Sequence, residues 1–497
     1  MTSYSKEYIE KIKWVIPLVF MLGYFFIRKY FDGNSVEYLT YSLAAFFSCA
    51  VLLTQLKLME QKFVAVWIAL IIFLLVYFIR FYWITIDALP INRMLPWSSL
   101  FKFSTMVEDR VSLLRAFKLS VTAFTCFSLA AAALLFYMRE LGSSAYQSAD
   151  EGRSTLHGLI AKRSLWAVTL FMSVLGYISY AYHIGEMGAQ LSDPLPFHLK
   201  GVVFYASTIV VPLVILLSIF LAERSGCMIT SRVGMLILIM HGVMNMLLRN
   251  SRSALLLSLI LLIFLMLAGG VKLRLKEKVL FGAMMILGFL MVPVMTVYRN
   301  YRISFNQSVV DTFFSALSNV AQNGSDQIFK GVEFVFFRMP GIECLWNMLA
   351  RHAEPLGAYS IDVIHQKDGI AGYVTRVIYS YGESMYFPAS FVDAQLFAPS
   401  LFAPSFVGWC YLVAGLPAIM VGSVLLGILS VLGGKFLNRK YLETGPVAQV
   451  FFLWILFMAL TEGTLDSMIH MFIVGLITTV FLEAGLRLIT RMKPFQK

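Results

Sequence analysis

Twelve stretches of this chain are apolar over about the ~20 residues that a helix needs to cross a ~30 Å hydrocarbon core. They fall near 14–31, 37–56, 63–86, 116–138, 164–184, 201–222, 230–248, 253–270, 279–298, 405–431, 445–462 and 467–488. Inside hydrocarbon the backbone has no water to bond, so runs of this kind must close their own hydrogen bonds as helices. The expected fold is all-α: a polytopic integral membrane protein of about 12 transmembrane helices. Composition agrees. Of 497 residues, 59% are hydrophobic and 14% charged, where a soluble chain carries about 25% charge. That excludes a string of soluble domains. It also makes nucleic acid a poor explanation of the +12 net charge; anionic lipid, or an anionic lipid-linked substrate, fits better.

The layout divides into three. Residues 1–298 hold helices 1–9, residues 299–404 form one large outward-facing loop, and residues 405–497 hold helices 10–12 and a tail. The loop contains apolar stretches, 331–337 and 397–402, that are expected to lie on or dip into the membrane. The charged start of the chain runs into an apolar stretch without a small-residue cleavage site, which reads as an uncleaved first span. The five cysteines, Cys49, Cys126, Cys227, Cys344 and Cys410, are scattered without C-x-x-C spacing, so neither a disulfide framework nor a zinc site is expected.

Lys and Arg near span ends set orientation. With both termini cytoplasmic, the inside holds 22 Lys+Arg and the outside 18, seven of them in the large loop. The bias puts that loop on the outer face. The kind of cation differs too: 9 Arg and 13 Lys inside, against 12 Arg and 6 Lys outside. A guanidinium grips phosphate oxygens with two parallel donors and stays charged, where Lys acts as a point charge. An Arg-rich outer face points to a phosphate-bearing ligand. The competing reading is interfacial arginine paired with headgroups and carboxylates.

Four groups of residues stand out. MLLRNSRSALLL puts Arg249 and Arg252 in a tight outer turn, able to neutralise two phosphates of one diphosphate or merely snorkelling. VYRNYRIS repeats the spacing with Arg299 and Arg302, where Tyr298 and Tyr301 either stack on sugar rings or form part of an aromatic belt. In the large loop, Arg338 precedes the Pro340–Gly341 turn and Glu343 begins a short helix; Glu343 is either a general base or a carboxylate favoured by the helix dipole. His352 and His365 lack metal-binding spacing. ALTEGTLDSMIHMF carries Glu462, Asp466 and His470, with Asp466 and His470 one turn apart on one face. Ionisable groups in a span usually face a bundle interior, which makes Asp466 the second base candidate. Arg80 either snorkels outward or lines the same cavity.

The segment 379–434 has an outer loop ending in A-P-S, an aromatic-containing span start, then G-L-P and spaced glycines. With RNSRS before an apolar span and a large outer loop bearing Arg338 and Glu343, it resembles the O-antigen polymerase family, the Wzy-type oligosaccharide repeat-unit polymerases. An R-x10-G pattern of some members is absent from the large-loop arginines. The resemblance implies a metal-independent, cofactor-free membrane glycosyltransferase bundle in a bacterial inner membrane, its large loop periplasmic. Two undecaprenyl-diphosphate-linked oligosaccharides would meet in an outward cavity. The growing glycan would pass from its carrier to the non-reducing end of a new carrier-linked repeat unit. A chain-length regulator and a flippase are the implied protein partners.

The chemistry asks for what the residues offer. Charge developing on the leaving diphosphate needs preorganised donors, one of which is worth roughly 3–4 kcal/mol. The acceptor hydroxyl needs a base, worth about 100- to 10,000-fold. Arg249, Arg252, Arg299 and Arg302 are assigned to diphosphate binding, with Arg338, Glu343 and Asp466 as the catalytic candidates. A ligase of the O-antigen type would use nearly the same chemistry on a different acceptor. A polysaccharide or lipid-linked oligosaccharide transporter would show repeated halves and paired broken helices, which the sequence does not display.

Overall fold

The computed structural model describes residues 17–21, 35–59, 63–85, 110–140, 154–185, 199–251, 254–305, 308–322, 341–342, 345–346, 349, 406–437, 443–461 and 465–491. Among the described residues there are helices and turns and no strand. Among the described residues nine helices are long and apolar enough to cross a membrane, and Ala254–Leu267 and Gly445–Thr461 are shorter apolar helices. The protein is an all-α, multi-pass membrane protein.

In chain order α1 is Ser35–Leu58. The rod α2 joins Val64–Phe73, a π turn Leu74–Ile79, and Arg80–Thr85. Then come α3, Arg110–Glu140, and α4, Ser154–Ala181. The next rod, α5, joins Lys200–Tyr205, a second π turn Ala206–Val210, and Val211–Arg224. It is followed by α6, Met228–Leu248, α7, Ala254–Leu267, and α8, Leu275–Phe305. The last three are α9, Phe406–Phe436, α10, Gly445–Thr461, and α11, Leu465–Arg491.

In lipid, helices gain little from apolar burial against each other and associate through close packing. Rings and glycines supply it here. Phe73 lies 5.4 Å from Phe127, and Phe81 stacks on Phe117 at 4.3 Å, so α2 and α3 run antiparallel. Gly427 of α9 meets the backbone of α3; a Cβ there would stand 2.6 Å from the Phe127 carbonyl oxygen. Trp166 and Tyr177 on α4 and Phe481 on α11 are more than 70% exposed. Such a surface is a liability in water and suits acyl chains.

One end of the bundle is stitched by charge. Arg232 of α6 pairs with Glu223 of α5 and with Glu277 of α8, the latter at 2.7 Å. Arg224 reaches Glu443 at 3.1 Å. Glu483 of α11 accepts hydrogen bonds from the backbone N–H groups of Glu443 and Thr444 and from the Thr444 hydroxyl, which fixes the start of α10. At the opposite end lie the start of α3, where Lys118 pairs with Glu37 of α1, and the C-terminal ends of α6 and α8.

The tenth apolar run is two arms. Its backbone breaks at Ala414 (φ −154°, ψ 28°) and Gly415 (φ 65°, ψ −140°), just before Pro417. A Cβ on Gly422 would lie 2.7 Å from Cys410 Sγ and 3.4 Å from Phe406 Cζ. Twelve and sixteen residues along a straight helix would separate these positions by about 18 and 24 Å. The short arm therefore folds back along the long one. It docks on α2 and α3: the Val407 N–H donates to Tyr77 Oη at 3.4 Å, and the Arg115 guanidinium sits 5.7 Å from the Tyr411 ring centre. Gly415 itself is buried, while Ala414, Leu416 and Pro417 beside it are exposed.

Part of the segment read as a large loop is also in the core. Ile342, Leu345, Trp346 and Leu349 are all buried, and Gly341 presses on Val76 and Tyr77 at the π turn of α2 so tightly that no side chain would fit.

Candidate functional site

Three polar residues stand four apart on α6: His241, Asn245 and Arg249. That spacing stacks them on one face of a helix, and all three are buried. The face meets the π turn of α5. Pro212, just beyond that turn, explains the local geometry. The Val211 N–H donates to the Ala206 carbonyl, five residues back, and Pro212 has no N–H to give. Neither can serve the Ser207 carbonyl. His241 does: its Nε2 lies 2.8 Å from that oxygen. A carbonyl accepts only, so Nε2 carries the hydrogen; the Asn245 amide nitrogen stands over the ring, 3.0 Å from Nε2 and 3.4 Å from Nδ1.

Arg249 ends α6. Its N–H donates to the Asn245 carbonyl at 3.2 Å, and Asn250 takes the left-handed conformation (φ 53°). The Ser251 N–H then returns to the Met246 carbonyl at 3.2 Å, a Schellman closure with asparagine in the position usually held by glycine. The Leu247 carbonyl accepts from Tyr298 Oη of α8 at 3.0 Å. So fixed, the Arg249 side chain is 4% exposed. Its guanidinium donates to Ser207 Oγ and lies over the Phe204 ring, 4.6 Å from the centre. Gly185 closes the third side: a Cβ there would come 2.9 Å from the Phe204 ring and 3.5 Å from Arg249 Cδ.

Of the residues singled out from sequence, Arg249 stands in a turn at the end of α6, with its side chain at the centre of a buried polar cluster. Arg299 and Arg302 are half-buried on the last turns of α8, and the Tyr298–Leu247 bond brings those turns to the end of α6 that Arg249 caps. Tyr301, read as a sugar platform or part of the belt, accepts from Asn319 at 3.1 Å. Asp466 and His470 lie in the first turns of α11, whose backbone alone is described there. α11 packs on the π turn of α5. Arg224 and Glu483 both meet Glu443; seventeen residues separate Ser207 from Arg224 and likewise Asp466 from Glu483. The start of α11 therefore stands at the height of Ser207. Arg80 is half-buried just beyond the π turn of α2. Arg252, Arg338, Glu343, His352, His365 and Glu462 lie outside the described residues.

Sequence reading missed His241, Asn245, Ser207 and Phe204. The signal was present as polar residues at four-residue spacing inside an apolar run. Among the described residues no group of three or more His, Cys, Asp or Glu could hold a metal ion. No family model, curated protein or solved structure matches this chain.

Proposed function

We propose that the protein is a membrane glycosyltransferase of the Wzy-type repeat-unit polymerase kind, with twelve spans, both termini cytoplasmic and the large loop periplasmic in a bacterial inner membrane. It would transfer a growing glycan from undecaprenyl diphosphate to the non-reducing end of a new carrier-linked repeat unit. The observation that carries the reading is Arg249: a guanidinium oriented by Ser207 and Phe204, at the end of the bundle that also holds Arg299 and Arg302. An oriented donor is what a developing diphosphate charge requires. In this reading Arg252, Arg299 and Arg302 extend the anion-binding surface, Arg338 joins the catalytic group, and Glu343 or Asp466 takes the proton of the acceptor hydroxyl.

One observation favours a transporter instead: the broken α9, since transporters bind cargo at discontinuous helices. The ligase reading shares the arginine chemistry. Deleting the gene and resolving the surface polysaccharide on a gel separates the three. Single repeat units identify a polymerase, full-length polymer left on its carrier a ligase, and lipid-linked units retained in the cytoplasm a transporter. Arg249→Ala, present in the membrane at wild-type level, is expected to abolish long chains; a normal chain-length distribution in that variant would falsify the assignment.

A further inference from the structure

We propose that His241 is a positioning residue: its Nε2–H replaces the backbone donor that Pro212 removes, holds the π turn of α5 in place, and so aims Ser207 Oγ at the Arg249 guanidinium. The inference deepens the polymerase reading and rests on it for the ligand, a polyprenyl diphosphate.

Two backbone registers could supply a donor to the Ser207 carbonyl, and neither does. In an α-helical register the Ser207 carbonyl would take the Val211 N–H, but that group is bonded to Ala206. In the π register it would take the N–H of residue 212, which is proline. A buried carbonyl left in this state carries the full cost of its lost water. The imidazole 2.8 Å away supplies the missing hydrogen. The same serine then offers its hydroxyl to Arg249. One residue is thus held through its backbone by the first member of the α6 ladder and holds the last member through its side chain. Asn245, between them, packs on the imidazole with Nδ2 3.0 Å from Nε2. A histidine working as a fixed donor has a clear signature. Glutamine, whose Nε2 can reach the same place, should replace it, whereas leucine of similar bulk should not.

The test uses the full chain, purified in detergent, with farnesyl diphosphate as the probe and polymer in cells as the second readout. Wild type is expected to bind the probe and Arg249→Ala to lose it. His241→Leu should weaken binding by about ten-fold, as loss of one buried hydrogen bond predicts, and shorten the chains. His241→Gln should stay within about three-fold of wild type. Ser207→Ala keeps the carbonyl bond and removes the hydroxyl, so it should weaken binding as His241→Leu does; this arm stands even if His241→Leu fails to fold. If wild type binds no probe, or Arg249→Ala binds normally, the diphosphate reading falls. If those two behave as expected but Ser207→Ala binds like wild type, or His241→Gln is as impaired as His241→Leu, the positioning role is overturned while the diphosphate reading stands.

Discussion

A guanidinium inside a helical bundle must be held by its neighbours, and Arg249 shows how three helices divide that task. The hydroxyl of Ser207 and the face of Phe204 come from α5, the chain end from the cap of α6, and the clearance from Gly185 just past α4. Arg249→Lys keeps the charge but loses the planar fork, so it is expected not to restore long chains; a wild-type gel ladder with lysine would mean that a point charge suffices. Gly185→Ala must adopt φ +73° and push the Phe204 ring, costing roughly 1–3 kcal/mol. Gly226→Ala has a similar angle, φ +76°, and open space around it. The thermal midpoint should therefore drop further for Gly185→Ala than for Gly226→Ala. At this scale the sequence was half readable. R-x-x-R in an outer turn drew attention to Arg249 by its charge. Its partners did not show, because Ser207 and Phe204 belong to another span and only packing brings them near. Nor did hydropathy mark His241, which a window of leucines and methionines averages away.

Elements were readable where length decides and unreadable where the chain turns within a run. Residues 405–431 scan as one span because hydropathy has no sense of direction, yet Gly415 and Pro417 divide it. In the sequence alone the same G-L-P serves only as a point of likeness. Gly422→Val would fill the contact with Cys410 and Phe406 and is expected to undock the short arm, lowering stability by about 1–3 kcal/mol; an unchanged melting curve in detergent would contradict the fold-back. The start of α10 offers a second check. Glu483 accepts two backbone N–H groups, the Thr444 hydroxyl and Arg487 Nε. Glu483→Ala strips those donors of their acceptor and should cost roughly 1–3 kcal/mol, read as a lower thermal midpoint. The π turn of α5 was written in the sequence as Pro212, but its consequence needed the facing helix.

For the whole molecule, apolar length alone was enough to reveal a multi-pass helical protein, since hydrocarbon allows no other economy for such runs. The described helices also sort their charge. Arg232, Glu223, Glu277, Arg224 and Glu443 close one end, and Arg249, Arg299 and Arg302 stand at the other. Cys227 is exposed at the first end, and Gln322 is exposed three residues past Asn319, which bonds Tyr301 on the last turns of α8. An impermeant thiol reagent should label Gln322→Cys, placed in a Cys227→Ser background, in intact spheroplasts. It should reach native Cys227 only after lysis; the opposite pattern would invert the protein. The folded-back arm bears on how such a chain is made. A translocon receives 405–431 as one uninterrupted greasy stretch and releases it sideways, but eight residues of helix cannot bridge a bilayer alone. The arm finds its seat on Tyr77, 330 positions earlier in the chain, so the finished bundle has to wait for a late segment to settle against helices inserted long before it.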